Sequence, residues 1–250
     1  MTAKVIKYRG RERRPRDKKG VGNTPEGSWS QEDLNLHKQL LLDLIEKEEY
    51  AKAKVVAQHL TQLLPKETYA WYLRGIALLE LSEPQQAEAC LLKSIEIQDA
   101  DSPDSYDCYQ MSRARLLQGD LEGAIDWCRQ SVELKSGEPT PCWLLMKLHL
   151  IQGDLDAAIA TGEQGLPKMA KTGDKVKTRL KLATLHITMS SFRQAEKHLK
   201  AALKLEPSMA EIWSTFGHCL SRQHKIEAAL NAFLKAGDLD PSDPTIYYNI

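Results

Sequence analysis

TYAWYLRGIALLELSEPQQAEACLLKSIEI, residues 68–97, reads as two amphipathic helices joined by a short polar turn at Ser82-Glu83. Pro84 opens the second helix, and Ala87 follows three residues later. The same setting returns along the chain. Alanines at 53, 87, 124, 158, 195 and 229 are separated by 34, 37, 34, 37 and 34 residues. Each follows a polar pair: Glu48-Glu49, Ser82-Glu83, Gly119-Asp120, Gly153-Asp154, Ser190-Ser191 and His224-Lys225. A regular period in this range marks a stacked-repeat architecture. The alanine is small because a longer side chain would hold the paired backbones apart.

With these alanines as the twentieth residue, repeats start near Leu34, Thr68, Ser105, Pro139, Val176 and Ala210, with a partial repeat from Pro244. Trp71 and Trp213 then stand fourth, Gly75 and Gly217 eighth, and Leu91 and Phe233 twenty-fourth. Ser94, Ser131, Gly165, Ala202 and Ala236 fill a small-residue position at the twenty-seventh place. Pro65, Pro207 and Pro241 end second helices. On these residues the chain resembles the tetratricopeptide repeat family over residues 34–250. The resemblance implies an all-α, right-handed solenoid of helix-turn-helix units. Departures are His37 and Leu41 in the first repeat, Cys142 and Met146 in the fourth, and Arg179 in the fifth. Two repeats carry three extra residues, near 100–104 and 167–175, expected as lengthened turns or extended helix ends.

The zero net charge hides two opposite parts. Residues 1–20 carry nine Lys or Arg and two acids, a net +7, whereas residues 21–250 carry twenty-five and thirty-two, a net −7. The basic cluster Arg9, Arg11, Arg13, Arg14, Arg16, Lys18 and Lys19 has almost no apolar company, and Gly and Pro follow it. Residues 1–28 are therefore expected to be a disordered basic arm and 29–250 the solenoid. The arm suits an anion such as nucleic acid, or no ligand at all; Tyr8 is its one aromatic, so no stacking platform accompanies the charge.

No apolar run is long enough to span a membrane, and the first twenty residues lack the apolar segment of a secretory signal. Five cysteines at irregular spacing argue against a disulfide framework and for a reducing, cytoplasmic setting. Cys108, Cys128 and Cys142 approach one another if adjacent repeats stack in phase, but buried free cysteine is the commoner outcome. His149 and His186 share one repeat position, so packing explains their recurrence. No metal-ligand spacing, Gly-rich phosphate loop or nucleophile elbow occurs. Neither a cofactor, a metal nor an enzymatic activity is expected.

The resemblance implies that four positions of each first helix face a concave groove. Carried over, these include Tyr72, Tyr106, Tyr109, Arg113, Trp143, Lys147, Lys177, Lys181 and His218. Tyr72, Tyr109 and Trp143 share one position in three successive repeats, and Arg113 and Lys147 share another. Such a wall fits a protein or peptide partner with apolar and acidic groups. The family's chaperone-tail clamp does not fit: Lys38 is followed by Leu42, and only Lys177 and Lys181 match in a later register. The expected function is a protein-interaction scaffold. Two alternatives remain: the N-terminal recognition part of a larger sulfotransferase, glycosyltransferase or methyltransferase, and a nucleic-acid-associated adaptor acting through the arm. The partial repeat ending at Ile250 leads to the expectation of a longer parent chain.

Overall fold

A computed structural model describes residues 31–98, 103–135 and 137–242. The basic arm and the partial repeat from Pro244 lie outside the described residues. Among those described, every regular element is helical. In chain order these are α1 (Gln31–Glu46), α2 (Tyr50–Leu63), α3 (Thr68–Glu80), α4 (Pro84–Gln98), α5 (Ser105–Leu117) and α6 (Leu121–Leu134). Then follow α7 (Pro139–Gln152), α8 (Leu155–Gly165), a 3-10 turn (Leu166–Lys168), α9 (Thr172–Thr188), α10 (Phe192–Leu205), α11 (Ala210–Arg222) and α12 (Ile226–Leu239). No helix among the described residues is long and apolar enough to cross a membrane.

The chain divides into two compact units, Met1–Trp127 and Cys128–Ile250, with the division inside α6. In the first unit α1 packs on α2, α2 on α3, α3 on α4 and α4 on α5. In the second, α7 packs on α8, α8 on α9, α9 on α10, α10 on α11 and α11 on α12. These helices thus bury one stripe against their neighbours in sequence, as the repeat frame requires.

The spaced alanines act as expected. Ala53, Ala87, Ala124, Ala158 and Ala195 are fully buried, and Ala229 nearly so. At Gly75 a Cβ would stand 2.8 Å from Cδ2 of Leu91, and at Gly217 one would stand 2.6 Å from Cε1 of Phe233. The paired helices touch at these glycines because no side chain separates them.

The turn inside each repeat, between its first and second helix, bends through the left-handed region. Glu48, Ser82, Ser190 and His224 have φ between 57° and 61°, and Gly119 and Gly153 lie at 83° and 85°. These are the first residues of the six polar pairs. Asp120 and Asp154, which follow the glycines, accept from the amides of Gly123 and Ala157 at 2.9 and 2.8 Å, capping α6 and α8.

Two tryptophans tie one repeat to the next. The indole N–H of Trp71 donates to the carbonyl of Pro65 at 3.0 Å, and that of Trp213 to the carbonyl of Pro207 at 2.9 Å. Each bond satisfies a carbonyl just past a helix end. The surplus residues near 167–175 form the 3-10 turn and an added first turn of α9, which starts at Thr172 rather than at Val176.

Candidate functional site

The residues expected to line a groove meet different fates. In the first unit, Tyr72 is 3% exposed and belongs to the core with Leu41, Leu73, Ile76 and Leu91, so its expected place on an open wall is corrected. Tyr106 is half-buried against the same core, and Tyr109 is half-exposed. Arg113, expected to offer its charge to a ligand, pairs with Oε1 of Glu80 at 2.6 Å and donates to Oε1 of Gln110 at 3.0 Å. Glu80 stands at the end of the preceding first helix, where it neutralises the guanidinium within the wall.

The second unit holds a different arrangement. Trp143 on α7 is half-buried, and its indole N–H donates to Oγ1 of Thr178 on α9 at 2.9 Å. Thr178 is fully buried and donates in turn to the carbonyl of Asp174 at 2.8 Å. This relay fixes the plane of the indole. Over it sit Nζ of Lys177 and Nζ of Lys181, 5.8 and 5.9 Å from the ring centroid. Both lysines are exposed, and among the described residues neither has a carboxylate partner. Lys147, one turn beyond Trp143 on α7, is exposed and equally unpaired. An indole face attracts a cation, but two like charges one helical turn apart repel each other. The cluster therefore presents a concentrated positive potential on a rigid aromatic platform.

His218 on α11 is exposed, with its ring set edge-on to Phe233 at 5.1 Å, and burial of its inner edge lowers its pKa. It packs over the Gly217 contact in its own repeat.

The five cysteines are buried free thiols. Cys128 donates to the carbonyl of Pro141 at 3.3 Å, while burial pushes the thiols of Cys108 and Cys142 up to about 12 and about 11. Such thiols are poor nucleophiles and poor metal ligands.

Each unit also carries an open depression. One, on α10, is lined by Arg193, Glu196, Lys197 and Lys200. There, bonds from Lys200, Lys225 and Gln223 hold the Glu196 carboxyl down at about 2, against its desolvation. The other lies on α1 and α2 between His37, Leu40, Val55 and His59.

Sequence reasoning missed Thr178, the buried hydroxyl that orients Trp143. It also missed the grouping of Glu163, His186 and His198, whose donor atoms lie within 4.8 Å of one another. The repeat frame puts α8 beside α9 and α9 beside α10, which is the signal that could have joined those three residues.

Comparison with known proteins follows the same geometry. Two tetratricopeptide repeat family models match, one over residues 68–101 and one over 180–244. Superkiller protein 3 of Schizosaccharomyces pombe is 33% identical over 69 residues, which is 28% of this chain and 5% of that protein. Among solved structures, the C-terminal part of a tetratricopeptide repeat-containing protein from Cytophaga hutchinsonii superposes with a TM-score of 0.72 at 16% identity, covering 85% of this chain and 83% of that one. PilF of Pseudomonas aeruginosa gives 0.63 at 15% identity over 86% and 94%. YrrB, described as a tetratricopeptide repeat protein with an unusual peptide-binding site, gives 0.58 at 14% identity over 77% and 96%. This fold is typically that of a non-enzymatic interaction scaffold. The alanine period, the helix pairs and the matching family models together show that the chain carries tetratricopeptide repeats, matched at residues 68–101 and 180–244, on an all-α repeat fold.

Proposed function

We propose that the protein is an interaction scaffold whose second unit binds an acidic peptide segment on the face that carries Trp143. The observation that carries this reading is the pair of lysine ammoniums held over one indole without a carboxylate partner among the described residues. A carboxylate or phosphate on the incoming segment relieves their mutual repulsion and forms charge-assisted hydrogen bonds. An adjacent apolar side chain packs on the exposed edge of the indole, which gives contact area at low rotamer cost. Lys147 supplies a third cation on the α7 side.

Tyr109 is retained as a candidate contact of the first unit. Arg113 is not, since Glu80 already occupies it. Five buried free thiols suit a reducing compartment such as the cytoplasm.

The test uses the full chain and fluorescein-labelled twelve-residue peptides with alternating Glu and Leu, read by anisotropy. Saturable binding that weakens with salt is expected, with Lys177→Glu/Lys181→Glu reducing affinity by roughly tenfold or more. Trp143→Phe keeps the packing but loses the bond to Thr178, and is expected to weaken binding less. Equal binding by the wild type and the double lysine variant refutes the assignment.

A further inference from the structure

Away from the Trp143 face, Glu163 near the end of α8, His186 in the last turn of α9 and His198 in α10 converge. Their candidate ligand atoms all lie within 4.8 Å of one another. Nε2 of His198 stands 2.9 Å from Oε1 of Glu163, and the two imidazoles stack at 15° with centroids 5.6 Å apart. We propose that Glu163, His186 and His198 form a binding site for a first-row divalent metal ion of the zinc type, with solvent completing the coordination.

Four features support it. Two imidazoles and one carboxylate are the donor set of an open zinc site, with three protein ligands and one exchangeable position. The donors come from three consecutive helices, so the ion bridges two helix pairs. His198 is 2% exposed, and the helix packing fixes its place. His186 has no hydrogen bond among the described residues, and its ring is therefore available.

Tetrahedral zinc with bonds near 2.0–2.1 Å places its donors about 3.3 Å apart. The His198–Glu163 pair is close to that spacing already. The remaining closure falls to Glu163, whose side chain is exposed, and to His186 at a helix end. Burial lowers the pKa of both imidazoles. The charges of Arg179 and Lys197 also reach them, which limits the affinity. His186, read from the sequence as a packing residue, so acquires a second role.

The experiment is titration of the untagged full chain with Co2+, followed by visible absorption, then displacement by Zn2+. One equivalent of Co2+ is expected to give ligand-field bands without a thiolate charge-transfer band. Glu163→Gln and His186→Ala, both at solvent-accessible side chains, are each expected to lose roughly tenfold or more in affinity. Circular dichroism melts establish that the variants remain folded. Zn2+ is expected to raise the melting temperature of the wild type and not of Glu163→Gln. The absence of stoichiometric binding, a thiolate band, or unchanged affinity in both folded variants overturns the assignment.

Discussion

Replacing Gly75 by Ala tests the close helix contact that builds each repeat. In an exposed helix the exchange gains about 1 kcal/mol from backbone propensity. Here the new methyl would stand 2.8 Å from both Cγ and Cδ2 of Leu91 and 3.4 Å from the carbonyl oxygen of Ala87. Leu91 is fully buried and has no free direction in which to move. Overpacking of this kind costs about 1–3 kcal/mol, so a net loss of about 1 kcal/mol is expected. Leu91→Ala alone opens a cavity and costs about 3 kcal/mol. In the double variant the overlap vanishes, the methyl fills part of the cavity and the propensity gain remains. Its cost is then about 2 kcal/mol against about 4 for the sum, a favourable coupling of about 2 kcal/mol. Urea unfolding followed by circular dichroism reads these differences. Because repeats unfold as coupled neighbours, the four curves are fitted together with a nearest-neighbour model. Additive losses, or a Gly75→Ala variant more stable than the wild type, refute the claim that the two helices touch through Leu91.

Asp107 is fully buried, and desolvation together with the Asp104 charge raises its carboxyl from 3.8 to about 7. The folded state therefore holds this proton more tightly than the unfolded chain. The associated stability is complete below about pH 4 and is lost as pH rises through 7. Asp107→Asn is expected to be more stable than the wild type at pH 8, by on the order of 2–4 kcal/mol, with the difference vanishing near pH 4 in thermal melts. At the turns, Gly119 and Gly153 have positive φ and nothing within 4 Å of an added Cβ. Their replacement by Ala is expected to cost about 1 kcal/mol from backbone strain alone. Ser190→Gly, at φ 57°, is expected to recover several tenths of a kcal/mol in the same denaturation assay.

The repeat frame was legible because it rests on residues whose size alone decides their place. Ala87, Gly75 and Leu91 occupy one contact, and only small, absent and large side chains fit it together. The wall residues were less legible because repeat position sets the direction of a side chain and not its surroundings. Tyr72, Tyr109 and Trp143 share a position, yet Tyr72 sits in the core while Trp143 keeps an open edge. Arg113 depended on a partner 33 residues earlier, an acid that the aligned repeats place on the adjacent first helix. Thr178 gives no signal of its own, since a buried hydroxyl and a surface one are written alike.

The indole bonds to Pro65 and Pro207 have a consequence for where the chain tolerates added length. Each clasps the five residues that lie between the proline and the tryptophan. An inserted residue there would pull the indole from its acceptor or the helix from its seat. The two junctions that carry three additional residues lead into the repeats of Ser105 and Val176, where Cys108 and Arg179 stand in place of tryptophan. Loops, tags or domains grafted into this protein therefore belong at those unclasped junctions, and the junctions spanned by Trp71 and Trp213 are the ones to leave intact.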